Sequence, residues 1–280
     1  MKGGEPCAAP KTEATPTREH PVGRWHPLDE TTARLNSQLS RLDRLIDQAH
    51  TILDRVQPPG FVAWSGGKDS TVAAWIADQH WPGIPIVSFR CGLEYPETLE
   101  YEQTAAAAFG WNWSTVRSGD MLPLMVRSGL WDMNGVADPD LPDDWWFRTL
   151  ILGPAAEAHR LHGPLIIWGL RANESKRRSL MLLSRNRRGI VERADGTTTC
   201  APLLNWHAAD VFAAHYRAGV APNPVYARFA ELGTPVAHRR VDVMVGADGV
   251  QHGRLAWLQA GWPDEYNRLA RSLPRMRHMT

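Results

Sequence analysis

Cysteine is scarce in this chain, and its few copies lie far apart. Among 280 residues there are three cysteines, Cys7, Cys91 and Cys200. No C-x-x-C pair is present, and three thiols cannot supply the four ligands of an iron–sulfur cluster within one chain. This distribution argues against a zinc ribbon and suits free thiols in a reducing compartment, so we expect a cytoplasmic protein.

Apolar targeting segments and a strong net charge are also lacking. The first residues, MKGGEPCAAPKTEATPTREHP, are polar and proline-rich, without the apolar core of a secretion signal. No apolar run approaches membrane-spanning length. The formal net charge is +1, so the chain as a whole gives no electrostatic argument for binding a nucleic acid or a membrane.

The hydrophobic pattern divides the chain into four parts. Residues 1–24 have no periodicity and are predicted to form a disordered tail. Residues 25–60 carry one long amphipathic helix over 28–56, whose apolar stripe packs on the domain or, alternatively, forms the seam of a homodimer. Residues 61–232 are predicted to be an α/β domain, and residues 233–280 a small α+β extension.

Within the α/β domain, short apolar runs alternate with helical stretches. Strands are predicted at Phe61–Trp64, Ile84–Phe89, Trp111–Val116 and Leu165–Trp168, and a hairpin at Gly189–Glu192 and Thr197–Cys200. Helices are predicted at Ser70–Gln79, Pro96–Phe109, 145–162, 207–218, 224–232, 252–260 and 263–272, and a late strand at Val241–Val245. The alternation predicts a parallel sheet with right-handed crossovers. Residues 118–144 are predicted to be an irregular insert or lid.

The clearest chemical signal is the segment Ser65-Gly66-Gly67-Lys68-Asp69-Ser70, which follows a buried strand and opens a helix. Two glycines allow positive φ and a close approach of the backbone to an anion. The first amides of the helix are unpaired, and the helix dipole is positive there. The segment is neither a Walker A motif nor a G-x-G-x-x-G motif. It therefore predicts a phosphate or sulfate site, to which Lys68 and the serine hydroxyls add hydrogen bonds.

This loop resembles the PP-loop of the adenine-nucleotide α-hydrolase group, the ATP pyrophosphatases. Residues Cys91–Thr98 resemble the D-T-G-x-x-F-P-E-T stretch of phosphoadenylyl-sulfate (PAPS) reductases, and Gly169–Arg178 resemble their G-x-R-x-x-E-S-x-x-R motif. Pro202–Trp206, then Asp210-Val211, then Asn223-Pro224-Val225-Tyr226 resemble later elements in the same order. The resemblance implies a Rossmann-like (HUP-type) parallel sheet of about five strands with helices on both faces, and a ligand over the strands' carboxyl ends.

The resemblance also implies roles for individual residues. It assigns nucleotide or phosphate binding to Ser65, Gly66, Gly67, Lys68, Asp69, Ser70, Gly92, Arg171 and Arg178. It assigns catalytic roles to Lys68, Asp69, Arg171 and Glu174. Arg171 offers a fork suited to a phosphate, and Glu174 orients Arg171, holds Mg²⁺ through water, or caps a helix. The implied cofactors are ATP (or PAPS) and Mg²⁺.

A local basic cluster follows the last of these motifs. It comprises Lys176, Arg177, Arg178, Arg185, Arg187, Arg188 and Arg193. Such a cluster suits a phosphorylated acceptor or a nucleic acid backbone, and a solvated basic face is the alternative.

The chain departs from the reductase pattern in two places. PAPS reductases transfer sulfur through a cysteine in a C-terminal E-C-G-[LI]-H segment, whereas no cysteine follows Cys200 here. Arg90 stands where the family has the Asp of D-T-G, which favours an additional phosphate or weakens the adenosine pocket. Cys91 and Cys200 are candidate thiol nucleophiles if nearby arginines lower their pKa, and small buried residues otherwise.

Three functions follow from these features. The first is ATP cleavage between the α- and β-phosphates, with adenylylation of an acceptor such as a nucleobase or nucleic acid. The second is a sulfonucleotide reductase or sulfotransferase with a non-standard cysteine. The third is a nucleotide-binding module without turnover. The complete loop and the missing reductase cysteine favour the first.

Overall fold

A computed structural model describes residues 22–183, 188–246 and 254–278 of the chain. Most of the predicted tail, residues 1–21, lies outside the described residues. Residues 22–24, predicted as the end of that tail, instead pack on the domain. Val22 is buried, and the Arg24 backbone N–H donates to the Pro222 carbonyl at 3.0 Å.

The core of the fold is a six-stranded sheet in the order β3-β2-β1-β4-β6-β5. Its strands are β1 (Gly60–Ala63), β2 (Ile86–Arg90), β3 (Trp113–Arg117), β4 (Leu165–Trp168), β5 (Ile190–Glu192) and β6 (Thr198–Cys200). Five strands are parallel, and only β5 is antiparallel to its neighbour. The predicted Rossmann-like α/β fold is confirmed. The sheet has six strands because both arms of the predicted hairpin join it, with β6 pairing parallel to β4.

Helices cover both faces of this sheet and extend beyond it. The helices are α1 (Pro27–Ser37), α2 (Ser40–Leu53), α3 (Lys68–His80), α4 (Pro96–Phe109), α5 (Met121–Arg127), α6 (Trp145–Phe147), α7 (Gly153–His162), α8 (Lys176–Leu183), α9 (Ala208–Ala218), α10 (Pro224–Glu231), α11 (Arg254–Gly261) and α12 (Pro263–Ser272). The bounds of α4 agree with prediction because Pro96 opens the helix and Gly110, in the left-handed conformation, ends it. Strands β2 and β3 each begin a little later than predicted, at Ile86 and Trp113.

The prediction of one helix over 28–56 is wrong. Two helices, α1 and α2, occupy this region, and the chain is extended at Leu39 between them. The apolar stripe does not form one buried face, which is why the prediction of a single helix failed. Leu35 and Leu39 are more than half exposed, whereas Leu42, Leu45 and Leu53 are buried. A homodimer through the exposed leucines stays a prediction.

The predicted helix over 145–162 is also interrupted. Residues Arg148–Leu152 form a π-helical turn between α6 and α7. Single π-helical turns inside helices are frequent at functional sites. This one directly follows the aromatic residues of α6.

The insert (residues 118–144) and the C-terminal extension (residues 233–280) together form a cap over the carboxyl ends of the strands. Met121, Met125 and Trp131 of the insert share a buried cluster with Leu258 and Leu269 of the extension. Arg275 ties the two segments by donating its backbone N–H to the Trp131 carbonyl at 3.2 Å and a guanidinium N–H to the Leu130 carbonyl at 3.1 Å. Two segments that are distant in sequence therefore make one unit.

The predicted strand at Val241–Val245 is absent from the described part of the extension. These residues follow an irregular path. Val241, Met244 and Val245 are buried in the cap, and the Met244 backbone N–H donates to the Leu93 carbonyl at 2.8 Å. The apolar pattern reflects burial in the cap, without strand pairing.

No helix within the described ranges is both long and apolar enough to span a membrane.

Candidate nucleotide site

The loop Ser65–Ser70 lies at the carboxyl end of β1, between a buried strand and the first turn of α3. Gly66 adopts φ +64°, a left-handed conformation that other residues adopt at a cost. Gly67 has an ordinary φ of −77°. The backbone N–H groups of Gly66, Gly67 and Asp69 have no hydrogen-bond partner among the described residues. The loop therefore presents unpaired donors at the positive end of a 13-residue helix.

Hydroxyl groups fix the shape of this loop. The Ser70 hydroxyl donates to the Gly67 carbonyl at 3.0 Å and accepts the Ser65 N–H at 3.2 Å. Tyr226, buried at the start of α10, accepts the Lys68 N–H at 3.1 Å through its hydroxyl oxygen. The tyrosine oxygen is therefore hydrogen-bonded to one amide of the loop, and the hydroxyl proton remains available to donate. Tyr226 belongs to the N-P-V-Y element, but no role for it was predicted from the sequence.

Lys68, Asp69 and Arg171 form a continuous ionic network beside the loop. The Asp69 carboxylate accepts from Lys68 Nζ at 2.6 Å and from Arg171 Nε at 2.6 Å. All three side chains are less than a fifth exposed. Arg171 reaches Asp69 because it follows β4, which lies beside β1 in the sheet. The structure thus brings together three of the four predicted catalytic residues.

Glu174, the fourth, joins the network through arginine. Its carboxylate lies 3.4 Å from Arg171 Nη2 and accepts the Arg171 backbone N–H at 3.3 Å. It also contacts the Arg178 guanidinium. This geometry favours two of the three alternatives for Glu174: it orients Arg171, and it caps the short 3₁₀ turn over Ala172–Glu174.

A cavity of about 1030 Å³ opens above the loop, between the sheet edge and the cap. Its walls include Ser65, Gly67, Lys68, Asp69 and Ser70 of the loop, together with Arg171, Glu174 and Arg178. Seven Lys or Arg side chains and five Asp or Glu side chains line it. The excess of positive charge suits an anionic ligand.

Arg90, which replaces the aspartate of the family pattern, lies at this cavity and is neutralised. It forms an ion pair with Glu102 of α4, a residue that is 1% exposed and packs against Gly66. Burial raises the pKa of Glu102 to about 7, and the nearby Arg90 opposes that shift. Because Arg90 has a carboxylate partner, an extra phosphate at this point would have to compete with Glu102.

The two cysteines that the structure describes are both buried. Cys91 lines the cavity, and burial together with Glu94 raises the pKa of its thiol to about 12. Cys200 lies in the core cluster away from the cavity, and burial raises the pKa of its thiol to about 12 as well. A pKa raised this far keeps both thiols protonated at pH 7. No arginine lowers either pKa below its ordinary value.

Two further sequence predictions look different in the structure. Gly92 does not line the cavity, and its N–H donates to Glu94 Oε2 at 3.0 Å. Two described members of the basic cluster over residues 176–193, Arg178 and Arg193, lie at opposite ends of the sheet. Arg178 lines the cavity, whereas Arg193 lies in the β5–β6 turn at the amino end of the sheet, because β6 runs parallel to β4. Arg185 and Arg187 lie outside the described residues.

His215 and Asn223 contact backbone carbonyl groups of the loop. The fully buried His215 ring lies 2.9 Å from the Lys68 carbonyl through Nε2 and 3.1 Å from the Val220 carbonyl through Nδ1. Asn223 donates to the Gly66 carbonyl at 3.3 Å. Burial lowers the pKa of His215 to about 4, and the two carbonyl oxygens, of which the neutral ring can donate to only one, oppose that shift. The sequence offered no signal for this histidine, since a lone histidine on a helix has many ordinary roles.

The depressed pKa of His215 predicts a pH-dependent stability. The unfolded chain binds the proton near the ordinary histidine pKa of about 6.5, so the stabilisation present above that value is lost as pH falls toward 4. In urea titrations, the stability difference between the wild type and His215→Gln should shrink by about 3 kcal/mol from pH 7 to pH 4. Glu102, whose pKa is raised, acts in the opposite sense but is common to both proteins. A constant difference would contradict a neutral, buried His215.

The residues present fit Mg²⁺ only as an ion carried by phosphates. Within the described ranges, no group of three or more His, Cys, Asp or Glu side chains is arranged to hold a metal ion. Asp69 already contacts Lys68 and Arg171. Magnesium commonly binds through one or two carboxylates, several waters and substrate phosphates, and Asp69 or Glu174 could contribute at that level.

Known proteins share parts of this sequence and this geometry. An uncharacterized 37.8 kDa protein of Escherichia phage 186 is 32% identical over 126 residues, covering 44% of this chain and 33% of that protein. The chain thus matches only a third of that curated relative.

Solved structures also align with this chain. The phosphate complex of a PAPS reductase from Candida auris aligns with a TM-score of 0.50 and 17% identity, covering 74% of this chain and 95% of that one. An FMN adenylyltransferase from Candida glabrata aligns with a TM-score of 0.46 and 12% identity, covering 71% and 67%. The phosphoadenosine phosphosulfate reductase domain family matches residues 59–235. Since this match spans more than half of the chain, the chain belongs to the phosphoadenosine phosphosulfate reductase domain family.

Proposed function

We propose that the chain binds ATP, cleaves it between the α- and β-phosphates, and transfers the adenylyl group to an acceptor. The observation that carries the proposal is the loop of unpaired amides at the start of α3, placed beside the Lys68–Asp69–Arg171 network. These donors suit the two terminal phosphates, which leave together as pyrophosphate.

In this reaction an oxygen of the acceptor attacks the α-phosphorus. A new phosphorus–oxygen bond forms, the bond from the α-phosphorus to the α–β bridging oxygen breaks, and pyrophosphate departs with the bonding electrons. Any proton on the attacking oxygen passes to solvent. The loop amides and Lys68 hold the leaving group, and Arg171 neutralises charge that develops in the transition state. Mg²⁺, bound to the phosphates, would supply further charge neutralisation.

The thiol chemistry distinguishes this reaction from sulfonucleotide reduction, the second candidate. Family membership favours a reductase. That reaction needs a thiolate at the cavity, and the cavity wall contains Cys91 with its pKa raised to about 12. A thiol so rarely ionised is a poor nucleophile at neutral pH, so we place adenylyl transfer first.

Product analysis separates the candidates. With ATP, Mg²⁺ and a panel of nucleotides and oligonucleotides, we expect pyrophosphate, and a kcat/KM about 100-fold or more lower in Lys68→Ala because a charged donor is lost. Ser70→Ala should also lower it, since the loop loses two hydrogen bonds. With PAPS and thioredoxin we expect no sulfite.

Three other outcomes would count against this proposal. Sulfite formation that is lost in Cys91→Ser would favour the reductase. Tight binding of ATP without either product would favour a module without turnover. Pyrophosphate release that is unchanged in Lys68→Ala and Ser70→Ala would remove the proposed mechanism.

A further inference from the structure

Two further groups of side chains line the cavity, apart from the phosphate loop and its ionic network. Trp146, Phe147, Leu150 and Ile151 enter from α6 and the π-helical turn. Arg239 and Arg240 enter from the extension, beyond the residues that the family matches. We call these two groups of lining residues the cap face.

Phe147 is the first unusual residue on the cap face. Its side chain lines the cavity and remains 50% exposed, while the neighbouring Trp146 is half-buried and stacks edge-on against Trp145 at 5.4 Å. Single exposed apolar residues are common on protein surfaces. An exposed ring that lines a ligand-sized cavity, beside a π-helical turn, instead offers a face on which a planar ligand can stack.

Arg240 is the second unusual residue on the cap face. Each of the other six basic residues that line the cavity contacts a carboxylate: Lys68, Arg90, Arg171, Arg178, Arg239 and Arg254. Arg240 has no hydrogen-bond or ion-pair partner in the part of the chain that the structure describes. Arg239, extended in backbone, turns to Asp29 at 3.3 Å and the Thr234 carbonyl at 2.9 Å. That anchorage fixes the segment and leaves Arg240 available for a ligand anion.

The volume of the cavity allows a second ligand beside a nucleotide. At about 1030 Å³, it lies at the upper end of the roughly 300–1,000 Å³ that sites for one small molecule span. The loop and Arg171 line this space together with the cap face.

We propose that the cap face is the acceptor subsite, and that it takes a heteroaromatic ring carrying a phosphate, as in a nucleotide. The ring stacks on Phe147, and the phosphate pairs with Arg240. This assignment rests on the proposed adenylyl transfer, because it names the class of acceptor for that reaction. A free nucleotide and a nucleotide within a single strand share this chemistry, so the experiment must distinguish the two sources.

The test uses the full chain saturated with α,β-methylene ATP, whose bridging carbon prevents cleavage. GMP, CMP and a short single-stranded oligonucleotide are titrated separately by calorimetry. We expect at least one of them to bind, with affinity about tenfold or more weaker in Phe147→Ala, since one base–aromatic stack is lost. Arg240→Gln should weaken binding also. If the oligonucleotide is the true source, Arg240→Gln should reduce the slope of log affinity against log salt concentration by about 0.7, the share of one phosphate contact on a single strand.

Matched controls use residues of the same chemical type that do not line the cavity. Leu152→Ala removes an apolar side chain of similar exposure that does not line the cavity, and Arg160→Gln removes an exposed arginine on α7. Both should bind the acceptor probes like the wild type. Affinity for α,β-methylene ATP should be unchanged in all four variants, which also shows that they are folded.

Several results would overturn the subsite. If the ATP analogue binds while GMP, CMP and the oligonucleotide do not, the subsite is rejected and adenylyl transfer stands. Wild-type affinity for the probes in Phe147→Ala and Arg240→Gln would reject it as well. If the ATP analogue itself fails to bind, the proposed function falls, and the subsite falls with it. Binding of mononucleotides alone, or of the oligonucleotide alone, supports the subsite and identifies the source.

Discussion

Gly169→Ala is expected to weaken ATP binding by about 100-fold, because the phosphate loop would be displaced by roughly an ångström. Gly169 follows β4 and lies against the loop helix. A Cβ atom there would be 2.6 Å from the carbonyl carbon and oxygen of Asp69 and from the amide nitrogen of Ser70. All three are backbone atoms, so no side chain can rotate away to relieve the clash. Calorimetric titration with ATP measures the effect.

Gly83→Ala provides the control for this variant. Gly83 has φ +79°, and no atom lies within 4 Å of the position that a methyl group would take there. Alanine therefore costs about 1 kcal/mol of backbone strain, at a distance from the site. The substitution should lower the melting temperature while leaving ATP affinity intact. Equal ATP affinity in Gly169→Ala and the wild type would show that the close contact between β4 and the loop does not position the phosphates.

Arg171→Ala is expected to combine a catalytic loss with a loss of stability. Removing a preorganised cation from a developing charge lowers kcat/KM by about 100- to 1000-fold. Breaking a buried ion pair by deleting one partner costs about 3 kcal/mol, because Asp69 would keep only Lys68. Pyrophosphate release and urea unfolding measure the two effects.

Arg171→Lys and Arg160→Ala make this prediction specific. Lysine keeps the charge but cannot reproduce the fork that reaches Asp69 and Glu174, so it should recover stability more than activity. Arg160→Ala, at an exposed pair with Glu157, should change stability by less than about 1 kcal/mol. Full activity in Arg171→Ala would remove this arginine from the mechanism.

The sheet and the loop could be predicted from sequence because their signals are local. A buried four-residue strand, two glycines and a helix follow one another within Gly60–His80, and β1 and α3 lie within two residues of their predicted bounds. The position of Arg171 was predictable for a related reason. Parallel strands end at the same edge of a sheet, so a residue that follows β4 lies near the end of β1.

The cap could not be predicted in this way, because its contacts join residues more than a hundred positions apart. No local sequence pattern around Trp131 or Arg275 predicts the hydrogen bond between them. The same holds for Tyr226, whose hydroxyl meets the Lys68 amide across 158 positions of sequence. The prediction of a late strand was wrong for a different reason. Alternating apolar residues at Val241–Val245 satisfied a strand pattern, but the buried cap accommodates them in an irregular path.

A crystal structure of the protein with α,β-methylene ATP tests the central claim most directly. We predict that the β- and γ-phosphates lie on the amides of Gly66, Gly67 and Asp69, with Lys68 Nζ and the Arg171 guanidinium turned toward them. Phosphates bound elsewhere in the cavity, with those amides still unpaired, would contradict the account.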